Sequence, residues 1–226
     1  MKRVIISIYA VALFLISIQA YAQRSKKDKL ETEVDSLSYA IGISFANSIK
    51  TQDIPELNID KITMALENLI NENEPKMTVQ EAQKFIQTYL TGLKEKQKQE
   101  NLIKANEFLE DNMKKDGVHV LPSGLQYKII KEGIGVSPTL ANKVKTHYKG
   151  TLLDGTEFDS SYERGEPIEF KLGGVIKGWQ EALKLMKPGS KWILYIHPDL
   201  GYGERGTGPI PANSLLIFEI ELLSVE

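Results

Sequence analysis

The fold is decided by the stretch Gly173-Gly174-Val175-Ile176-Lys177-Gly178-Trp179-Gln180-Glu181-Ala182-Leu183-Lys184-Leu185-Met186. Two glycines open it and Lys187-Pro188-Gly189 closes it, which predicts one short helix with firm ends. Its apolar residues recur at helical spacing and so share one face: Ile176, Trp179, Leu183 and Met186. A buried tryptophan on such a helix is usually a core residue, so this feature alone favours structure over function.

The segments around this helix alternate apolar and polar residues, as strands do when one face lies on a core. The first predicted strand is Leu125 to Ile130, and the later inner faces carry Val144, Thr146 and Tyr148; Ile168, Phe170 and Leu172; Trp192, Leu194 and Ile196; and Phe218, Ile220 and Leu222. Asp154-Gly155 predicts a hairpin turn, and a long turn-rich loop runs from Pro198 to Asn213. We therefore expect an antiparallel sheet wrapped over the helix, with Trp179 at the contact.

The first half of the chain has helical periodicity instead. Apolar residues mark one face through Leu37, Ile41, Phe45 and Ile49, and a second through Ile62, Leu66 and Leu69. Thr78-Val79-Gln80-Glu81 is a capping box that begins a long helix ending near Met113. Residues 94–101 of that helix are polar on every side, which is typical of a solvent-exposed bridge between domains. About 35 helical residues would make an arm of roughly 50 Å.

The predicted fold class is thus α+β, with an N-terminal all-α domain and long connecting helix (residues 23–113) followed by an antiparallel β domain (residues 114–226). Little else in the chain is available to cover the short apolar helices, so we expect a homodimer through residues 31–90. A self-contained three-helix bundle is the alternative.

The N-terminus predicts export. Met1-Lys2-Arg3 precedes an apolar run from Val4 to Ile18 and the small-x-small site Ala20-Tyr21-Ala22, the pattern of a secretory signal peptide over residues 1–22. Cleavage after Ala22 removes two basic residues and no acidic one, so the formal net charge changes from -2 to -4. The run is short for a membrane span, and the mature chain is expected to have none. An uncleaved N-terminal anchor is the alternative to a periplasmic or outer-membrane-associated protein.

Composition excludes several classes of function. The chain has no cysteine, which removes disulfides, thiolate catalysis and sulfur metal sites. A net charge of -2 offers no basic field to nucleic acid. The three histidines, His119, His147 and His197, lack metal-ligand spacing and are expected to be structural, so we expect neither a metal nor another cofactor.

Several motifs in order carry a family resemblance. They are Thr146-His147-Tyr148-Lys149-Gly150, Asp154-Gly155-Thr156-Glu157-Phe158-Asp159-Ser160-Ser161, Val175-Ile176-Lys177-Gly178-Trp179, Gly201-Tyr202-Gly203, and Ile210-Pro211-Ala212-Asn213 with the strand from Leu216 to Leu223. With these motifs the C-terminal half resembles the FKBP-type peptidyl-prolyl isomerases. The helical half, the arm and Leu121-Pro122-Ser123-Gly124 are similar to the exported, dimeric macrophage-infectivity-potentiator branch.

The resemblance implies a pocket and an activity. Its catalytic residues would be Asp159, Tyr202, Phe158, Trp179 and Phe218, with Trp179 as the floor. Its substrate-binding residues would be Tyr148, Val175, Ile176 and Ile210. The Tyr202 hydroxyl and the Ile176 amide would donate to substrate carbonyls, and Asp159 would accept from Tyr148 with Arg164 as ion partner. The alternative for Asp159 is an ordinary exposed carboxylate.

The implied substrates are proline-containing unfolded or nascent exported proteins, whose X-Pro bonds the enzyme would isomerise as a folding catalyst. A chaperone or binding module with little turnover, holding clients in its helical half, is the alternative. The resemblance also implies macrolide inhibitor binding. Ile168 stands where the family often has an aromatic wall, and the loop from Glu204 to Pro209 is shorter than usual, so both departures bear on inhibitor affinity and substrate preference.

Overall fold

A computed structural model describes residues 29–51, 54 and 56–226. The predicted signal peptide and its cleavage site lie outside the described residues. The chain divides into two compact units, Met1–Thr78 and Val79–Glu226.

The described part of the first unit contains two helices, α1 (Glu33–Lys50) and α2 (Ile59–Ile70). Thr32 and Asp35 form a capping box on α1, since each backbone amide donates to the other side chain at 3.0 Å. Asn58 caps α2 by accepting from the Lys61 amide. The predicted apolar faces are present but largely uncovered in the single chain: Leu37 is 62% exposed, Ile41 61%, Phe45 50%, Leu66 52% and Leu69 56%.

The second unit begins with the long helix α3 (Val79–Asn112), which agrees with the predicted arm. The stretch expected to be solvent-exposed on every side differs from that prediction, because Lys98 and Asn101 bond to the loop before the last strand. Further along the same face, Ala105 and Leu109 are buried against Leu215. Polar contacts of this kind leave no apolar periodicity for a sequence pattern to detect.

The sheet is antiparallel throughout and confirms the predicted fold class. Its strands are β1 (Val118–Val120), β2 (Gln126–Lys131), β3 (Lys143–Thr151), β4 (Glu157–Ser160), β5 (Ile168–Lys171), β6 (Lys191–Ile196) and β7 (Leu216–Val225). They lie in the order β1-β2-β6-β7-β3-β4, with β5 also paired to β3. The expected first strand is thus preceded by β1, which the sequence analysis did not predict. The predicted inner residues of β3, β6 and β7 are buried.

The central stretch forms two short helices instead of the single one predicted. A 3-10 helix covers Leu172–Gly174, and helix α4 covers Lys177–Leu183. Between them Val175 and Ile176 have extended backbone dihedrals, so they form a short extended link between the two helices. Trp179, Ala182 and Leu183 bury the inner face of α4 in the core.

Gly178 allows α4 to approach the sheet closely. A Cβ at this position would lie 2.8 Å from Ile196 Cγ2, which is closer than atoms pack in proteins. The missing side chain therefore sets the distance between helix and strand, and with it the depth of Trp179.

Candidate active site

One cavity of about 440 Å³ opens between α4, the sheet and the loop before β7. All nine residues of the predicted pocket line it: Tyr148, Phe158, Asp159, Val175, Ile176, Trp179, Tyr202, Ile210 and Phe218. Five further residues complete the lining: Ile168, Gly174, Thr207, Gly208 and Pro209. Strand pairing explains the convergence, because β3 pairs with β4, β5 and β7 and so brings distant motifs side by side.

The floor of the cavity is the indole of Trp179, which is only 5% exposed. Tyr148 and Phe218 meet it edge-on, each with a centroid distance of 5.1 Å. Phe158 meets Phe218 in the same way at 5.4 Å. Edge-to-face pairs satisfy the quadrupoles of the rings, so this aromatic cluster has a defined shape. The indole Nε1 is buried without a hydrogen-bond partner among the described residues.

Gly150 on β3 makes room for two of these rings. A Cβ there would lie 2.6 Å from the Phe158 ring and 2.8 Å from the Phe218 ring. The Thr146-His147-Tyr148-Lys149-Gly150 motif therefore ends in glycine for a packing reason.

A polar cluster of Tyr148, Asp159 and Arg164 forms one edge of the cavity. The Tyr148 hydroxyl donates to Asp159 Oδ2, as the sequence analysis predicted, and Arg164 Nη1 donates to Asp159 Oδ1. Arg164 Nη2 also donates to the Tyr148 hydroxyl at 2.8 Å, so each member contacts the other two. Asp159 is therefore an oriented carboxylate with a fixed charge.

The electrostatics follow from burial and from these bonds. Burial on its own would raise the pKa of Asp159, but the hydrogen bonds from Tyr148 and Arg164 and the Arg164 charge outweigh it, so the pKa is lowered. Burial, followed by the hydrogen bond to Asp159, raises the pKa of Tyr148. Burial and the Asp159 charge likewise raise the pKa of Tyr202. At neutral pH both phenols are donors and Asp159 is an anion.

The loop before β7 supplies the outer wall. Thr207 and Ile210 exchange backbone hydrogen bonds of 2.9 and 2.8 Å, so Gly208-Pro209 forms a tight turn beside the cavity. Gly206 has a φ of 63°, and a Cβ there would lie 2.3 Å from the Ile210 carbonyl oxygen. Only glycine fits this position.

The opposite wall, Val175 and Ile176, is held by Gln180. Its Nε2 donates to the Val175 carbonyl at 2.7 Å, from one turn into α4. Behind the polar edge, Ser161 is fully buried, and its hydroxyl accepts from the Tyr148 amide at 2.8 Å. Neither residue was predicted to support the site, because a side-chain bond to a distant backbone has no periodic sequence pattern.

The histidines lie away from the cavity lining and have structural contacts. His147 Nδ1 lies 3.0 Å from the Ser161 hydroxyl, His119 stacks on Tyr127, and His197 Nε2 lies 3.2 Å from Asn106 Oδ1. In the described part of the chain, no three histidine or acidic side chains are grouped to bind a metal ion.

Comparison with known proteins gives matches over both halves of the chain. Residues 135–223 match the family described as FKBP-type peptidyl-prolyl cis-trans isomerase, and residues 34–129 match the domain amino terminal to it. The peptidyl-prolyl cis-trans isomerase Mip of Coxiella burnetii is 41% identical over 233 aligned residues, covering 100% of this chain and 99% of that protein. The outer membrane protein MIP of Legionella longbeachae is 40% identical, covering 87% of this chain and 88% of that protein.

The crystal structure of FkpA from Escherichia coli is similar in fold, with a TM-score of 0.73 and 36% identity. The match covers 88% of this chain and 99% of that one. Among the described residues, we find no helix with the length and apolar character that crossing a bilayer requires.

Proposed function

Because the chain belongs to the FKBP-type peptidyl-prolyl cis-trans isomerases and is an enzyme of that activity, we propose that it acts in the cavity around Trp179. The catalytic residues of the proposal are Asp159, Tyr202, Phe158, Trp179 and Phe218, and the substrate-binding residues are Tyr148, Val175, Ile176 and Ile210. The observation that carries it is the convergence of all nine on one cavity with an aromatic floor.

Rotation about an X-Pro bond breaks no covalent bond, so it needs neither a nucleophile nor a metal. The obstacle is the loss of amide resonance, a barrier of about 18–20 kcal/mol. The planar amide is strongly polarised, whereas the twisted amide has lost much of that charge separation. A cavity that replaces water with aromatic surface favours the twisted form, and each ~1.4 kcal/mol of preference is tenfold in rate.

The polar groups have orienting roles in this proposal. Tyr202 is 39% exposed at the rim, and its hydroxyl remains protonated at neutral pH, so it can donate to a substrate carbonyl. The Ile176 amide is the second proposed donor, on the wall that Gln180 holds. The Asp159 carboxylate, paired with Arg164, holds the Tyr148 hydroxyl and so keeps the polar edge of the cavity in a fixed arrangement.

The two tryptophans provide a matched test. Trp179 and Trp192 are 5% and 3% exposed, and the indole nitrogen of each is buried without a partner among the described residues. Only Trp179 lines the cavity. We expect Trp179→Phe to lower kcat/KM on an X-Pro peptide at least tenfold, whereas Trp192→Phe, with a similar loss of stability, leaves it within twofold. The assay is protease-coupled cleavage, with folding checked by circular dichroism.

Tyr202→Phe tests the hydroxyl separately. Loss of one hydrogen bond, about 1–1.5 kcal/mol, should lower kcat/KM about tenfold without affecting folding.

Equal activity losses in the two tryptophan variants, or full activity in Trp179→Phe, would place the reaction elsewhere. A wild-type chain that suppresses client aggregation but does not accelerate isomerisation would favour the binding-module alternative.

We further propose a homodimer formed through residues 31–90. The exposed apolar faces of α1 and α2 support it, since a self-contained bundle would bury them. The start of α3 adds exposed Phe85 and Tyr89, whose rings stack at 6.3 Å. A second copy of the chain is the occupant that this interface fits, because each copy presents the same faces.

Light scattering on the chain without residues 1–22 tests the dimer. We expect twice the monomer mass, and a monomer for the variant with Ile41→Lys and Phe45→Glu. Tyr39→Glu is the matched control, since Tyr39 is 60% exposed on the opposite side of α1. A monomeric wild type would contradict the proposal.

Export to the periplasm or outer membrane, after cleavage at Ala22, completes the proposal. The signal-peptide pattern and the name of the Legionella relative support it. The substrates would then be proline-containing exported proteins. N-terminal sequencing of the protein from fractionated cells tests this, and an intact Met1 on cytoplasmic protein would overturn it.

A further inference from the structure

One turn of α3 binds the loop that forms the outer wall of the cavity. Lys98 Nζ bonds to Glu204 Oε2 at 2.8 Å. Asn101 Nδ2 donates to the Ala212 carbonyl at 2.9 Å. In the opposite direction, Asn213 Nδ2 donates to the Lys98 carbonyl at 3.2 Å. Lys98 and Asn101 are three residues apart and so share one face of the helix.

These contacts hold both ends of the wall segment, which is defined here as residues 207–210 of the outer wall. Glu204 lies three residues before Thr207, where the wall segment begins, and Ala212 lies two residues after Ile210, where it ends. The Asn213 amide donates to the Gly203 carbonyl at 2.9 Å, which closes the base of the loop. The helix therefore binds the loop at its base, while the tip of the loop lines the cavity.

Asn213 is built into this contact. It is 6% exposed, and its φ of 54° places a non-glycine residue in the left-handed region. Asparagine tolerates that conformation better than most residues, and here its side chain also reaches the helix. Below this turn, Ala105 and Leu109 continue the same face of α3 onto Leu215, so the helix has a firm base on the sheet.

We propose that Lys98 and Asn101 are positioning residues for isomerisation, which hold the loop of residues 203–213 so that its wall stays formed over the cavity. This inference rests on the proposed function, because it assigns the active site to the same cavity. It adds that part of that site's geometry is supplied by the arm helix, outside the β domain.

A kinetic consequence distinguishes positioning from a general structural role. If the loop leaves its place for part of the time, only the remaining fraction of molecules binds substrate. Ground state and transition state then lose binding equally, so KM rises while kcat is unchanged. A variant that merely unfolds would instead lose kcat in proportion to the inactive protein, with KM unchanged.

The test uses two variants of the chain without residues 1–22. The first combines Lys98→Met with Asn101→Ala, and the second is Asn213→Asp, which tolerates the same backbone conformation but has no amide hydrogens to donate. The matched control is Lys96→Met, which removes the exposed ion pair to Glu100 on the same helix without reaching the loop. NMR exchange measurements on a peptide with one X-Pro bond give KM and kcat separately. Hydrogen exchange at the Thr207 and Ile210 amides reports the loop directly.

We expect both variants to raise KM about three- to tenfold with kcat within twofold, and to speed exchange of the two amides by at least the same factor. The control should match the wild type in both measurements. Wild-type KM and wild-type amide protection in the variants would overturn the inference while leaving the proposed function intact. An inactive wild-type chain with protected amides would overturn the proposed function instead.

Discussion

Replacing Gly178 with alanine should impair the enzyme, although helix propensity alone predicts the opposite. Alanine is favoured over glycine inside a helix by about 0.8–1.0 kcal/mol. Gly178 has no positive φ that would require glycine, so its backbone accepts a side chain. The new methyl, however, would lie 2.8 Å from Ile196 Cγ2 and 2.9 Å from Cδ1.

The size of the effect follows from that distance. Ordinary contacts begin at 3.4 Å, so α4 and β6 must separate by roughly 0.6 Å. Overpacking of this kind typically costs about 1–3 kcal/mol, which offsets the gain in propensity and leaves a net loss of about 1 kcal/mol. Trp179 is the next residue, so the indole moves with the helix. Since a misplacement of about 1 Å can cost a hundredfold in rate, half of it should lower kcat/KM about tenfold.

The stability and the kcat/KM of Gly178→Ala can be measured on the same protein sample. The two tryptophans of the chain lie in the second unit, so their fluorescence in a urea titration follows that unit alone. Protease-coupled cleavage of an X-Pro peptide gives kcat/KM. Gly92→Ala is the matched control, because Gly92 is also helical and a Cβ there meets no atom within 4 Å. It should leave both the midpoint and kcat/KM no lower than in the wild type.

A second substitution tests the stated cause. Ile196→Ala removes the three atoms that the methyl would meet, so it should cost about 2–5 kcal/mol in the wild type and clearly less in Gly178→Ala. A higher midpoint with full activity in Gly178→Ala would refute a clash with Ile196. Simple additivity of the two substitutions would refute it as well, because the clash would then not link them.

Three further predictions concern the rest of the cavity. The folded pKa of Asp159 lies below its unfolded value of about 3.9, so the stability from this group is present above that value and is lost as the pH falls through the folded pKa. The catalysed cis-trans exchange rate of an X-Pro peptide, measured by NMR, should therefore stay level from about pH 8 to 5 and fall only in more acidic solution. Asp159→Asn should remove that acidic fall, and a fall beginning near pH 6 would contradict the prediction. Gly150→Ala places a methyl 2.6 Å from the Phe158 ring, so kcat/KM should fall at least tenfold and the urea midpoint should decrease, and an unchanged rate would show that the rings adjust freely. Ile168→Phe adds an aromatic wall to the cavity and should tighten binding of a macrolide inhibitor about tenfold by calorimetry, whereas weaker binding would mean that the added ring blocks the site.

The core and the cavity lining could be predicted because they leave regular traces in the sequence. Alternation in β3, β6 and β7 identified their buried faces, and helical spacing placed Trp179 inward. The family motifs then identified nine residues that the structure brings around one cavity. Each of these features repeats at a fixed interval or recurs as a short string, so one sequence was sufficient.

Features that depend on a single tertiary contact could not be predicted. Val175 and Ile176 are extended within a pattern that predicts one continuous helix, and the Gln180 side-chain amide donates to the Val175 carbonyl there. Strand β1 has only three residues, too few for alternation to be distinguished from chance.

The polar stretch of α3 shows why this limit matters for function. Hydrophobic periodicity detects apolar side chains that a helix buries against a core, and residues 94–101 have almost no such side chains. Yet Lys98 and Asn101 bond to the loop of the cavity wall through charge and amide groups, which a pattern counts as solvent-exposed. A contact made of polar bonds is also easier to break than a packed core, since each exposed pair is worth only about 0–1 kcal/mol. In this enzyme the activity depends on the geometry of the cavity, and this weak contact supports one wall of it. Small changes in the arm helix should therefore alter substrate binding before they alter folding.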